Sequence, residues 1–340
     1  MLIYSSMQAM DLELLKLRSN ALSHIRSFFS EKTFLELDTP SLSRTLIPES
    51  CLEVFETHFI EPFSEKQQKL YLLPSPELYI KRIIAEHKLS VFQISKCYRN
   101  VESIGRLHSP EFTMLEYYSV NADYMDSLFL TEALFSSFEK NRKISSFFGN
   151  SLPDFLKPPF IQLSMNEAFK SYAGFYLDDC KSSAALAEEA RRLGLYESKE
   201  NPLDSWQMDD LYELIFVSEV EPKLPTEKPV ALMDYPSFVP CLAEDKDEAH
   251  KERWELYIRG IELANCYSEE RDSAKVKAYF ESEGKIKMQK ALVKHPIDAD
   301  YYKLFYNFPR CSGVALGFDR LLMLLAGKSS IDSVLPVRLF

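Results

Sequence analysis

An α/β fold of the α+β type, a mostly antiparallel sheet flanked by helices, is what this sequence predicts. Three observations carry that expectation. Strand-like segments come in two groups separated by a helical block, without βαβ alternation. Within those groups, two pairs of strands are placed to form hairpins. Near the end, a strand of small residues, CSGVALG, runs directly into an apolar helix.

Residues 11–31, DLELLKLRSNALSHIRSFFSE, place Leu14, Leu17, Ala21, Leu22, Ile25, Phe28 and Phe29 at helical spacing, with Asp11 as N-cap. TFLELDTPSL then alternates apolar and polar residues and stops at Pro40, which has no backbone donor, so it reads as an edge or boundary strand. Short strands follow at VFETHFI and KLYLLP, and a helix starts at Ser75 with Pro76 in its first turn. VFQISKCYRN and EFTMLEYYSV form a hairpin with a long polar loop. Residues 121–145 and 164–220 read as mostly helical and show no chemistry of their own. Strands return at PVALMDYP, RWELYIRG and IELANCYSE, the last two joined at a Gly260 turn. A charged helix covers about 273–290, and the final helix begins at about Asp319.

The chain has 340 residues, 46% of them hydrophobic, which is enough for a full core. Its net charge of −11 argues against a broad nucleic-acid footprint and favours basic partners at long range. Six scattered cysteines show no zinc spacing and read mostly as small buried residues. The N-terminus lacks a leader pattern and no apolar run is long enough to span a bilayer, so a cytoplasmic protein without a membrane partner is expected.

Polar chemistry concentrates in four segments. Arg99 stands at a strand end, where a buried guanidinium needs a phosphate or a carboxylate partner, and Phe112 beyond the loop offers a flat ring. Gly313, Ala315 and Gly317 permit close approach of a ligand or another backbone, Asp319 reads as a helix cap, and Arg320 projects beside the strand end. Glu255 and Glu262 on the Gly260 hairpin repel unless a cation such as nucleotide-bound Mg²⁺ sits between them; a solvated strand face is the alternative. Glu77, after Ser75 and Pro76, either complements a helix dipole or joins Glu116 and Glu269 around an ammonium group. Two arginines, a carboxylate pair and spare carboxylates together suit attack of a carboxylate on the α-phosphate of ATP.

FLELDTP resembles motif 1 of the class II aminoacyl-tRNA synthetases, YRN…HSPEF resembles motif 2, and GVALGFDR resembles motif 3. SPELYIKR, EFTMLEYY and GIELANCYSE are similar to the lysyl-tRNA synthetase branch. The resemblance runs from about Leu12 to the end and implies the class II catalytic fold. It implies catalytic roles for Arg99 on the α-phosphate and Arg320 on the γ-phosphate of ATP, with Phe112 stacking on adenine. Asn100, Val101, Glu102, His108, Ser109, Glu262, Leu263 and Gly317 complete the implied ATP site. Glu255 and Glu262 would hold Mg²⁺. Ser75, Pro76, Glu77, Glu116, Tyr118, Asn265, Glu269 and Ala315 would line the amino-acid pocket, whose many carboxylates suit lysine or (R)-β-lysine.

Motif 1 lies almost at the start, where lysyl-tRNA synthetases carry an anticodon-binding domain first. The expectation is therefore a single catalytic domain over 1–340, with a helical insertion at about 121–225 and no N-terminal OB-fold domain. In this the chain resembles the branch that ligates (R)-β-lysine to elongation factor P, with tRNA not the expected acceptor and a homodimer implied. GIELAN in place of REIGNG, and Ala315 in place of Gly, point the same way. A minimal lysyl-tRNA synthetase and a non-catalytic lysine-binding regulatory paralogue are the alternatives. Three departures from the family pattern stand out: Val101 with the acid displaced to Glu102, Ser109 for Asn, and Cys266 for Gly, the last adding a side chain near the substrate.

Overall fold

The structure is a computed structural model that describes residues 11–195, 198 and 201–337. Residues 1–10, the core of the segment read as lacking a leader, lie outside them.

Helix α1 (Leu12–Glu31) opens the fold, and the Asp11 carboxylate caps it by accepting the Glu13 N–H at 2.7 Å. Strands β1 (Leu35–Glu36), β2 (Leu42–Ser43), β3 (Glu56–Ile60) and β4 (Gln67–Leu72) precede α2 (Glu77–His87). The hairpin β5 (Val91–Tyr98) and β6 (Glu111–Val120) follows, then α3 (Tyr124–Lys140) and α4 (Arg142–Ser145). Strand β7 (Ile161–Ser164), α5 (Met165–Tyr172), α6 (Ser183–Arg192) and α7 (Met208–Ile215) form the middle block. Strands β8 (Val230–Pro236), β9 (His250–Ile258) and β10 (Ile261–Ser268), helix α8 (Ser273–Lys290), β11 (Cys311–Gly317) and α9 (Phe318–Leu325) complete it.

The main sheet has the order β1-β5-β6-β11-β10-β9-β8-β7. Its six inner strands are antiparallel, and β1 and β7 add in parallel at the two edges. The expected mostly antiparallel sheet is present, and the strand before Pro40 is an edge strand two residues long. The span read as a helical insertion at about 121–225 also contributes a strand, β7, at the far edge. Arg259 and Gly260, with φ of 53° and 70°, make the tight β9–β10 turn.

One face of the sheet carries the main core. Leu115, Tyr117, Val314, Leu316, Cys266, Trp254 and Leu256 pack there against α1, α3 and α9. Phe29 anchors it, stacked on Phe92 at 4.9 Å, a buried ring that contributes roughly 1.5–3 kcal/mol. The opposite face is covered only around its margins. On one side lie the three-stranded sheet β2-β4-β3, α2 and α8, and on the other α5 to α7 on their own apolar cluster. No described helix is long and apolar enough to cross a membrane. All six cysteines are free, with Cys97, Cys180, Cys266 and Cys311 buried.

Candidate active site

Directly paired residues on antiparallel strands point to the same side of a sheet, so strand register lays out the site. Glu116 on β6 faces Ala315 on β11, Ala315 faces Asn265 on β10, and Asn265 faces Glu255 on β9. Two residues along, the row reads Tyr118, Gly313, Tyr267 and Arg253. These two rows form the floor of a cavity of about 940 Å³ lined by all eight residues.

At one end the cavity is built from carboxylates. Glu116 is buried and pushed up to about 8 by desolvation and by Glu77, while the Tyr118 hydroxyl donates to it at 3.2 Å. Glu77 and Glu269 do not face a vacant ammonium site, because Lys81 is already there. Its ammonium, fully buried, pairs with Glu77 Oε1 at 2.5 Å and Glu269 Oε2 at 2.7 Å. Burial works against that charge, but Glu269 and Glu77 hold the ammonium well above the usual lysine range. Gly313 is required beneath them: a Cβ there would collide with the Tyr118 ring and come within 2.6 Å of Glu269 Oε1.

The other end is built for anions and a flat ring. The Arg99 guanidinium lies 5.2 Å from the Phe112 centroid, and its buried Nε has no hydrogen-bond partner. A buried guanidinium N–H left unpaired is costly, and a phosphate oxygen is the partner that would satisfy it. Arg320 is fixed by the Glu262 and Leu107 carbonyls and by His108 Nε2 at 2.8 Å. Burial and Arg320 push the His108 pKa down, consistent with a neutral ring accepting that bond. Burial and the charge of Glu255 push Glu262 up to about 7.

Glu255 and Glu262 are not cross-strand partners as the sequence suggested. Glu262 faces Tyr257, and a bulge follows between Glu262 and Ala264. Glu255 is not bare either, since Arg253 binds it at 2.5 Å and the Tyr257 hydroxyl donates to it at 2.8 Å. Among the described residues no cluster of three or more His, Cys, Asp or Glu forms a metal cage.

Most of the expected residues meet in this one cavity. Arg99, Glu102, His108, Ser109, Phe112, Glu262, Leu263, Gly317 and Arg320 line it together with Ser75, Glu77, Glu116, Tyr118, Asn265, Glu269, Ala315 and Glu255. Three do not. Pro76 is the N-cap position of α2. Asn100 is tied to the backbone of Glu53 and Val54. Val101, at a φ of 58°, turns out to solvent. Cys266 also departs from expectation: being one residue out of phase with Asn265, it faces the main core and contacts Ser312 at 3.3 Å.

Asp319 is not the cap of α9. Its Oδ1 binds Arg18 at 2.7 Å and its Oδ2 accepts the Thr113 N–H at 2.6 Å. The middle block is not inert, because Gln207, Asp209, Asp210, Tyr212 and Glu213 line the cavity. Sequence reasoning also missed Lys81, Arg253 and Glu49. Lys81 had a legible signal, a lysine in the apolar stripe of α2 four residues after an acid. Glu49, in an irregular loop, had none.

The family of class II tRNA synthetases (D, K and N) matches residues 4–337. A relative from Proteus mirabilis, "Elongation factor P--(R)-beta-lysine ligase", is 34% identical over 327 residues, 94% of this chain and 92% of its own. Relatives of the same description from Edwardsiella ictaluri and Vibrio cholerae are 35% and 33% identical, each over 94% of this chain and over 92% and 93% of their own. The chain belongs to the class II tRNA synthetase family of the D, K and N type.

Proposed function

We propose that the protein is an AMP-forming ligase that activates (R)-β-lysine, or lysine, with ATP and transfers it to a lysine side chain of elongation factor P. The observation that carries this reading is the single cavity joining the unpaired Arg99 guanidinium to the buried carboxylates. Three carboxylates and Lys81 leave a net charge of about −2 when all are ionised, matching a substrate with two ammonium groups. The substrate carboxylate is then directed toward Arg99. It attacks the α-phosphorus of ATP, pyrophosphate leaves, and the aminoacyl-adenylate forms. Arg99 stabilises the charge that builds on the α-phosphate, and Arg320 holds the γ-phosphate. Phe112, which lines the cavity with Arg99 over its ring, is the flat surface for adenine.

Mg²⁺ fits this site as a nucleotide-borne ion. Glu255 and Glu262 share the cavity, and Glu262 is raised by burial and by its neighbour's charge, the second of which a divalent cation would relieve. With two carboxylates the remaining ligands would be phosphate oxygens and water, where the ion would neutralise phosphate charge. The same reading takes the protein as a cytoplasmic homodimer that does not use tRNA as acceptor.

Two measurements test this. The first is ATP–pyrophosphate exchange with each lysine isomer, and the second is the intact mass of elongation factor P after incubation with ATP and that isomer. Isomer-dependent exchange with a matching mass increase is expected. No exchange with any isomer sinks the activation step, and charging of bulk tRNA in place of elongation factor P sinks the choice of acceptor.

A further inference from the structure

An ammonium cannot attack a carbonyl until it loses a proton, and none of the roles given above is that of its acceptor: Glu116 is placed against the substrate ammonium groups and Glu262 against Mg²⁺. The carbonyl to be attacked must lie between the Arg99 guanidinium, which holds the phosphate, and the carboxylate pocket that holds the substrate ammonium groups. Glu49 lines the same cavity, and charged groups from both of its ends act on it: Glu77 and Lys81 on α2, and Arg99 at the end of β5. Its carboxylate has no hydrogen-bond or ion-pair partner among the described residues.

The loop that carries Glu49 is fixed in place. Lys287 donates to the Glu49 carbonyl at 3.0 Å and also to the Leu52 carbonyl. The Ser50 N–H donates to Glu283 Oε2 at 3.1 Å. Glu53 pairs with Asn100 in an isolated bridge, the Asn100 N–H donating to the Glu53 carbonyl at 2.9 Å. The Glu53 carboxylate accepts the N–H groups of Leu292 and Val293 at 3.0 and 3.2 Å. A loop held at so many points presents its side chain at a set position, as a proton acceptor requires.

We propose that Glu49 is the proton acceptor of the transfer step, an inference that rests on the ligase reading above. Its carboxylate takes one proton from the ε-ammonium of the acceptor lysine. The freed electron pair forms the N–C bond to the adenylate carbonyl carbon. The C–O bond to the phosphate then breaks and AMP leaves with its electron pair. The second surplus proton on nitrogen passes to solvent. Burial and the charge of Glu77 raise Glu49 to about 7, against the pull of Arg99, Lys287 and Lys81, which suits a base working near neutrality. The other titratable groups that interact with it are Tyr267 on β10, Tyr279 on α8 and Cys51 beside it in the loop, and Glu283 on α8 holds the neighbouring Ser50 N–H.

The test separates activation from transfer. Enzyme loaded with the adenylate is mixed with elongation factor P, and intact mass is followed in a single turnover between about pH 6 and pH 9. Glu49→Gln is expected to slow transfer by about 100-fold or more and to abolish its rise with pH near 7, with exchange falling less than about tenfold. Glu49→Asp should restore part of the transfer rate. Transfer by Glu49→Gln at the wild-type rate would overturn the proposal. So would an equal fall of exchange and transfer, which would make Glu49 a counter-ion of Arg99. Failure of the wild-type protein to exchange with any isomer would instead overturn the activation reading on which the proposal stands.

Discussion

Lys81 decides what the carboxylate pocket can bind. Without it, the buried Glu269 and the partly buried Glu77 would be two like charges with no partner between them. Removing one member of a buried ionic group costs roughly 3–5 kcal/mol, because the remaining charge stays desolvated. Lys81→Met is therefore expected to lower the denaturant midpoint and to raise KM for the amino acid in exchange at least about tenfold, with Lys81→Arg restoring part of the affinity. A Lys81→Met protein with unchanged KM would show that the ammonium is only structural. Ala315 acts by shape. Its methyl stands in the floor between Glu116 and Asn265, so Ala315→Gly deepens the pocket at that point. One methyl is worth about 1–3 kcal/mol at most, so the ratio of exchange rates for β- and α-lysine should move toward α-lysine by about tenfold and by no more than about 200-fold. An unmoved ratio would place isomer discrimination elsewhere.

Elements are held in register around this floor by contacts remote in sequence. Arg18 on α1, Asp319 on α9 and Thr113 on β6 form one buried brace, with Arg18 Nη2 on Thr113 Oγ1 at 2.8 Å. The brace joins motif 3 to the first helix and fixes the strand that follows the motif 2 loop. Arg18→Met should cost about 3 kcal/mol or more by stranding the Asp319 carboxylate, read as a lower midpoint in urea. A loss under about 1 kcal/mol would mean that Asp319 finds another partner. The paired elements were legible because their signals are local: Gly260 marks one hairpin, and alternating residues mark β5, β6 and β11. Asp319 was misread because an acid at a helix start looks like a cap, while Arg18 lies 301 residues away in sequence. Strand β7 was missed for a related reason, as four residues between helices pair with β8 only in the folded chain.

At the scale of the whole molecule, the cavity concentrates carboxylates that keep their protons longer than in an unfolded chain. The sequence named two of them, since Glu116 and Glu269 sit in recognisable segments, but it could not show that burial would raise them. Folded, Glu116 is raised to about 8, and Glu269 and Glu49 to about 7, each chiefly by burial. In the unfolded chain these groups ionise near about 4.3. Between those limits the folded state binds more protons, so stability present at low pH is lost as pH rises through about 7 to 8. His24, His108 and His295 are lowered by burial and act in the opposite sense, but only below about pH 6.5. Ligand-free protein should therefore melt at a lower temperature at about pH 8 than at about pH 6.5. A substrate with two ammonium groups should reverse the trend. Its charges favour the ionised carboxylates, so its affinity and the melting shift it produces should both grow over the same interval, a shift worth about 2.7 kcal/mol at 100-fold its Kd. Thermal scans with and without the amino acid at the two pH values check both halves. A ligand-free melting temperature that rises with pH, or a ligand shift that shrinks, would mean that the pocket carboxylates are already ionised in the empty protein.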